Sequence, residues 1–168
     1  MKWIGAVLVI IGCGGFGMMQ AMAHRREEVA LRQLIGALDY MECELRYRLT
    51  ALPQLCRQTA AERSGCIKLF FSNLAKELED QISPDVKSCM NAALASTEQL
   101  PSRARTILLQ LGGTLGRFDV DGQIGGLNAA RMDCRQALDS LSENRDVRLR
   151  SYQTLGLCAG AALAILFI

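Results

Sequence analysis

The chain has 168 residues, with 19 Lys and Arg against 17 Asp and Glu, and half of its residues are hydrophobic. That is enough chain for one domain, and charges so evenly matched and interspersed exclude a nucleic-acid groove. Seven cysteines without a C-x-x-C spacing, beside the one histidine His24, exclude a zinc site and a disulfide frame; they read as small core residues in a reducing compartment.

Trp3 to Ala23 is an uncharged run of 21 residues, preceded by Lys2 and followed by His24, Arg25 and Arg26. It is long enough to cross a bilayer, and residues 1–23 are expected to be a transmembrane segment. Two other readings compete. Ala21-Met22-Ala23 imitates a signal-peptidase site and Ile10-Ile11-Gly12-Cys13 imitates the box before a lipidated cysteine, and either would make the remainder a secreted or lipidated adaptor.

From Arg26 to Thr50 the apolar residues Leu31, Leu34, Ile35, Leu38, Met41, Leu45 and Leu49 recur at helical spacing against a charged face, which predicts an amphipathic helix. Arg46, Tyr47 and Arg48 form a basic-aromatic stretch, but Glu42 and Glu44 offset its charge, so it reads as a solvated flank. Pro53 suits the first turn of a second helix and Gly65 its end. A third helix is predicted over Cys66 to Gln81, with Phe70 and Phe71 in the core. Ser83, Pro84 and Asp85 signal the start of a fourth, and Pro101 with Ser102 opens a fifth that reaches Leu115.

Gly112 to Gly126 is the least regular segment, in which Gly112, Gly113 and Gly116 turn the chain and Asp119 or Asp121 caps the next helix. It lacks the G-K-[ST] of a phosphate loop and the spaced ligands of a calcium loop, so no cofactor or metal is expected. Leu127 to Leu155 then runs for 29 residues without Gly or Pro, and Ser151 to Ile168 carries no charge. A rod of about 45 residues, on the order of 65 to 70 Å long, is expected to pass from the body into a second transmembrane segment at 151–168. Its stripe is Ile124, Leu127, Ala130, Cys134, Ala137, Leu138 and Leu141. Arg25 and Arg26 on one side, and Arg145, Arg148 and Arg150 on the other, hold residues 24–150 in the cytosol by the positive-inside rule.

The expectation is therefore an all-α protein: a cytosolic bundle of about six helices at 24–150, flanked by two spans, its last helix continuous with the second. Nothing in it pairs a nucleophile with a base. A protein that binds proteins is expected, with no enzymatic activity, no small-molecule substrate and no nucleic acid. A membrane-surface hydrolase is the alternative, and it would require Glu42, Glu44, Asp119 and Asp121 to converge.

Two motifs carry a resemblance. One is L-G-x-x-L-G-x-x-D-x-x-x-Q at Leu111, Gly112, Leu115, Gly116, Asp119 and Gln123, with a closing L-G-x-x-x-G at Leu155, Gly156 and Gly160. The other matches L-E-x-E-I-x-Y-x-x-T-P-L-P at Glu42, Glu44, Tyr47, Thr50, Leu52 and Pro53, with Met41, Leu45 and Ala51 as departures. The whole chain resembles the stage III sporulation protein AB family of endospore-forming bacteria. The resemblance implies a scaffold in a secretion-like channel complex between mother cell and forespore, its soluble part like the bundle of the F-type platform protein of type II secretion. It implies the mother-cell membrane facing the forespore as location, with a cognate secretion-type ATPase, other channel components and membrane lipid as partners. The residues of the two motifs are then the candidates for docking.

Overall fold

The computed structural model describes the backbone over residues 2–80, 85–116 and 119–167, and side chains within those ranges from 25 to 143. Among the described residues six helices and no strand make up the fold: α1 (Lys2–Arg48), α2 (Leu52–Glu62), α3 (Gly65–Glu79), α4 (Val86–Ala95), α5 (Ser102–Leu111) and α6 (Val120–Phe167). Among the described residues no helix is long and apolar enough to cross a membrane. The expected spans at 1–23 and 151–168 lie outside the residues whose side chains are described.

α1 is one helix of 47 residues, where a boundary is expected near residue 23. The reason is local: between Met18 and Arg48 there is no proline and a single glycine, Gly36, so nothing interrupts the backbone ladder. It serves as the central pillar, packed along α6 and touching α2, α3 and α5. The predicted stripe does most of this packing, since Leu31, Leu34, Leu38, Met41 and Leu45 are buried. Opposite them lie Phe70 and Phe71 of α3, edge to face at 5.1 Å, and Leu55, Leu94, Leu108 and Leu127 from the other helices. Each such side chain contributes roughly 1.5–3 kcal/mol of burial, which offsets the ordering of a chain made of short helices.

Three boundaries differ from expectation. Gly65 does not end α2; it takes φ 62° and is the first residue of α3, after a two-residue link. α5 stops at Leu111 instead of Leu115, because the turn begins at Gly112. α6 starts at Val120, so Gly122, Gly125 and Gly126 are helical despite their low propensity. The fourth helix has Asp85 at its N-cap position, while Ser83 and Pro84 lie outside the described residues.

α1 and α6 run antiparallel. Arg131 of α6 reaches Asp39 at 2.6 Å and Glu42 at 3.2 Å on α1. Further along, Arg103 of α5 donates to the Ala137 carbonyl at 3.1 Å and Ser140 Oγ at 2.8 Å on α6, with Glu27 of α1 at 3.6 Å. The register thus moves from 39–42 against 131 to 27 against 137–140. α1 comes into the body, and α6 leaves it, at the same end. The α1–α2 corner and the α5–α6 turn lie at the opposite end.

Candidate docking surface

The α5–α6 turn is built by its motif residues. Leu111 and Leu115 are buried and anchor both sides of the bend. Gly112 ends α5, its N–H donating to the Leu108 carbonyl at 3.0 Å. Gly116 takes φ 72°, the left-handed region, and a Cβ there would overlap Val86 Cγ2 at the start of α4. Asp119 caps α6: its Oδ1 accepts from the Gly122 N–H at 3.0 Å and its carbonyl from the Gln123 N–H, also at 3.0 Å. Gly126, inside α6, lies against Thr114, whose hydroxyl donates to the Leu111 carbonyl at 2.9 Å; a Cβ would strike that hydroxyl. Every residue of this motif with a described partner is engaged in shaping the bend.

The α1–α2 corner divides its labour. Met41 and Leu45 are core. Glu44 is nearly buried and accepts a hydrogen bond from the Thr50 hydroxyl at 3.2 Å, with Arg48 at 3.5 Å, so it ties the helix end to the next segment. Burial, with Glu44 and Glu62 adding negative charge nearby, pushes the Tyr40 phenol up from its ordinary pKa. Glu42 lies between Arg46 at 3.0 Å and Arg131, and the hydrogen bond to Asp39 raises the Arg131 guanidinium further above its already high pKa. Pro53 stands in the first turn of α2, as expected. Ala51, where the resembled motif has Pro, takes φ −59° and ψ 139°, values a proline would also adopt, so the departure leaves the turn unchanged.

Tyr47 and Leu49 have no such task among the described residues. Tyr47 is 78% exposed, and Leu49 is 68% exposed although the apolar spacing puts it on the core stripe. Leu49 has left the helix and takes φ 50°, alone among the described non-glycine residues in a positive value. Such a conformation costs roughly 1–2 kcal/mol for an L-residue, and helices commonly place glycine there. Beside Tyr47 a shallow depression of about 300 Å³ is lined by Asp39, Glu42, Cys43, Arg46 and Arg131. Arg131 lies off the apolar stripe of α6, and its role across α1 and α6 has no local signal, since its partner Asp39 is 92 positions away.

The four carboxylates of the hydrolase alternative have separate occupations: Glu42 pairs with arginines, Glu44 holds Thr50, Asp119 caps α6 and Asp121 is exposed in its first turn.

A model of the family described as stage III sporulation protein AB matches residues 2–168. Stage III sporulation protein AB of Bacillus subtilis (strain 168) is 25% identical over 171 residues, covering 100% of this chain and 99% of that protein. A solved structure titled stage III sporulation protein AB (SpoIIIAB) is alike in fold, with a TM-score of 0.64 at 23% identity over 73% of this chain and 98% of that one. A match along essentially the full length, on a fold whose bend is built by the motif residues themselves, makes the chain a member of the stage III sporulation protein AB family, with a role in sporulation.

Proposed function

We propose that the protein is a membrane-anchored platform of the sporulation channel complex, in which residues 1–23 and 151–168 span the mother-cell membrane facing the forespore. In this reading the helical body, 24–150, lies in the cytosol and docks the cognate secretion-type ATPase with the end that points away from the bilayer. The observation that carries the reading is the corner at Tyr47 and Leu49. There a large aromatic and a large aliphatic side chain stand 78% and 68% exposed, two positions apart, at the end of the body opposite the one where α1 arrives and α6 departs. Exposed Tyr beside Arg is the composition of an interface hot spot, and backbone strain kept at an exposed leucine is better accounted for by a partner than by the fold. The separate employment of Glu42, Glu44 and Asp119 favours a scaffold over a hydrolase.

The test is co-purification of the full chain with the ATPase, co-expressed, from detergent-solubilised membranes. The native chain recovers the ATPase, and the Tyr47→Ala, Leu49→Ala double variant loses about 90% of it, in line with two hot-spot truncations. Recovery unchanged in the double variant refutes this docking surface. A reporter inserted at Ser83 that is active only outside the cytosol refutes the topology.

A further inference from the structure

The outer face of the α2–α3 hairpin carries a second feature, independent of the corner. A groove of about 430 Å³ runs between the two helices. Its floor is made of small side chains, Ala60 and Ala61 from α2 and Ser72 and Ala75 from α3, and its rim is Arg57, Lys68, Lys76 and Glu79. Arg57 is engaged with Glu79 across the hairpin. The side-chain ammonium groups of Lys68 and Lys76, both exposed residues, have no ion pair or hydrogen bond among the described residues. The groove therefore presents a small-residue floor under a net positive rim.

We infer that this groove receives an acidic amphipathic helix of a second protein. Length fits a helix: from Lys68 to Glu79 the α3 wall is about 16 Å long, three turns. The floor fits it too. Helix axes approach to about 8 Å only where contact residues are small, and Ala61 and Ser72 leave that space open on the surface. Charge selects the guest, because Lys68 and Lys76 stand two turns apart on one wall and are satisfied by carboxylates two turns apart on the incoming helix. The positions Lys68, Ser72 and Lys76 follow the same four-residue step, so the small floor residue lies between the two cations.

The experiment places the photo-reactive residue benzoylphenylalanine on the rim at position 79, or separately at position 47, in the full chain in sporulating cells. Position 79 yields a cross-linked product whose peptide, sequenced by mass spectrometry, is an acidic amphipathic helix of another protein. Lys68→Glu with Lys76→Glu reduces that product about tenfold while the position 47 product persists, which also reports that the body is folded. Ala61→Leu, which fills the floor without altering charge, reduces it as well, and exchanging the guest's carboxylates for lysines restores it in the charge-reversed chain. The inference is overturned if the position 79 product contains this chain itself or a lipid, if it is insensitive to charge reversal, or if none forms. Loss of the position 47 product alone counts against the docking corner and leaves the groove standing.

Discussion

The α5–α6 turn and the α1–α2 corner both carry a family-like motif, and the structure uses them in opposite ways. At the turn, Gly116, Asp119 and the buried pair Leu111 and Leu115 answer to the bend, by backbone angle, cap and anchor. At the corner the work is split: Glu44 and Thr50 close the helix end, Glu42 and Arg131 join α1 to α6, and Tyr47 and Leu49 stand in solvent. A motif glycine accounts for itself by the space around it. An exposed tyrosine does not, and that asymmetry is why the docking proposed above falls on the corner and not on the turn.

The largest effect belongs to the turn. Gly116→Ala adds strain at φ 72° and a clash with Val86, and is expected to cost about 2–4 kcal/mol in thermal or urea unfolding of the detergent-solubilised chain. A cost under about 0.5 kcal/mol, the range of an ordinary surface change, would place the turn beside the corner and erase the contrast. Next comes the strut between the regions: Arg131→Ala leaves Asp39 and Glu42 without their α6 partner and is expected to cost about 1–2 kcal/mol, since these are charge-assisted hydrogen bonds on a partly exposed group.

Leu49→Gly runs the other way. Glycine relieves the left-handed backbone, so unfolding should require about 1 kcal/mol more, while recovery of the ATPase falls. Stability and binding moving in opposite directions is the signature of a strained docking residue; if both fall together, Leu49 is structural. Tyr47→Ala should leave stability within about 0.5 kcal/mol of the native chain and reduce binding alone.

The smallest change sharpens the comparison without a mutation. Burial pushes the Cys56 and Cys134 thiols up to about 12, so both stay protonated and slow to alkylate near pH 8.5 (roughly the free-thiol pKa), while exposed Cys43 at the corner is labelled first. Their folded-state pKa values lie above the unfolded one. The stability linked to these thiols is therefore complete below about pH 8.5 and lost as pH rises toward about 12. Labelling of Cys56 as fast as Cys43 in the native chain would mean that the α2 wall of the corner opens.

Much of this was readable in advance. The three-and-four spacing of Leu31, Leu34, Leu38, Met41 and Leu45 marks the core stripe of α1, Pro53 and Pro101 mark helix starts, and of the two aspartates expected to cap α6, Asp119 and Asp121, the first does so. The structure departs from the sequence pattern where a short-range rule meets a longer-range contact. Leu49 continues the apolar spacing but falls one residue beyond the last turn, so the spacing no longer says which way it points. Gly122, Gly125 and Gly126 look like loop yet are helix: Asp119 caps the Gly122 N–H, and Gly126 packs against Thr114 where a larger residue would not fit. The α2–α3 groove had no sequence signal, because its alanines become a floor only when two helices lie side by side.

The residues by themselves determined the helical class and most of the faces that would be buried, since helix periodicity and capping act over three or four positions and are written locally; the family resemblance lay in the two motifs. Only the tertiary structure decided that Arg131 would meet Asp39 across 92 positions, that Leu49 would stand in solvent, and that Lys68 and Lys76 would flank an open groove. Those outcomes depend on how whole helices are set against one another, a matter of packing register between segments far apart in the chain, to which no short window of sequence is sensitive.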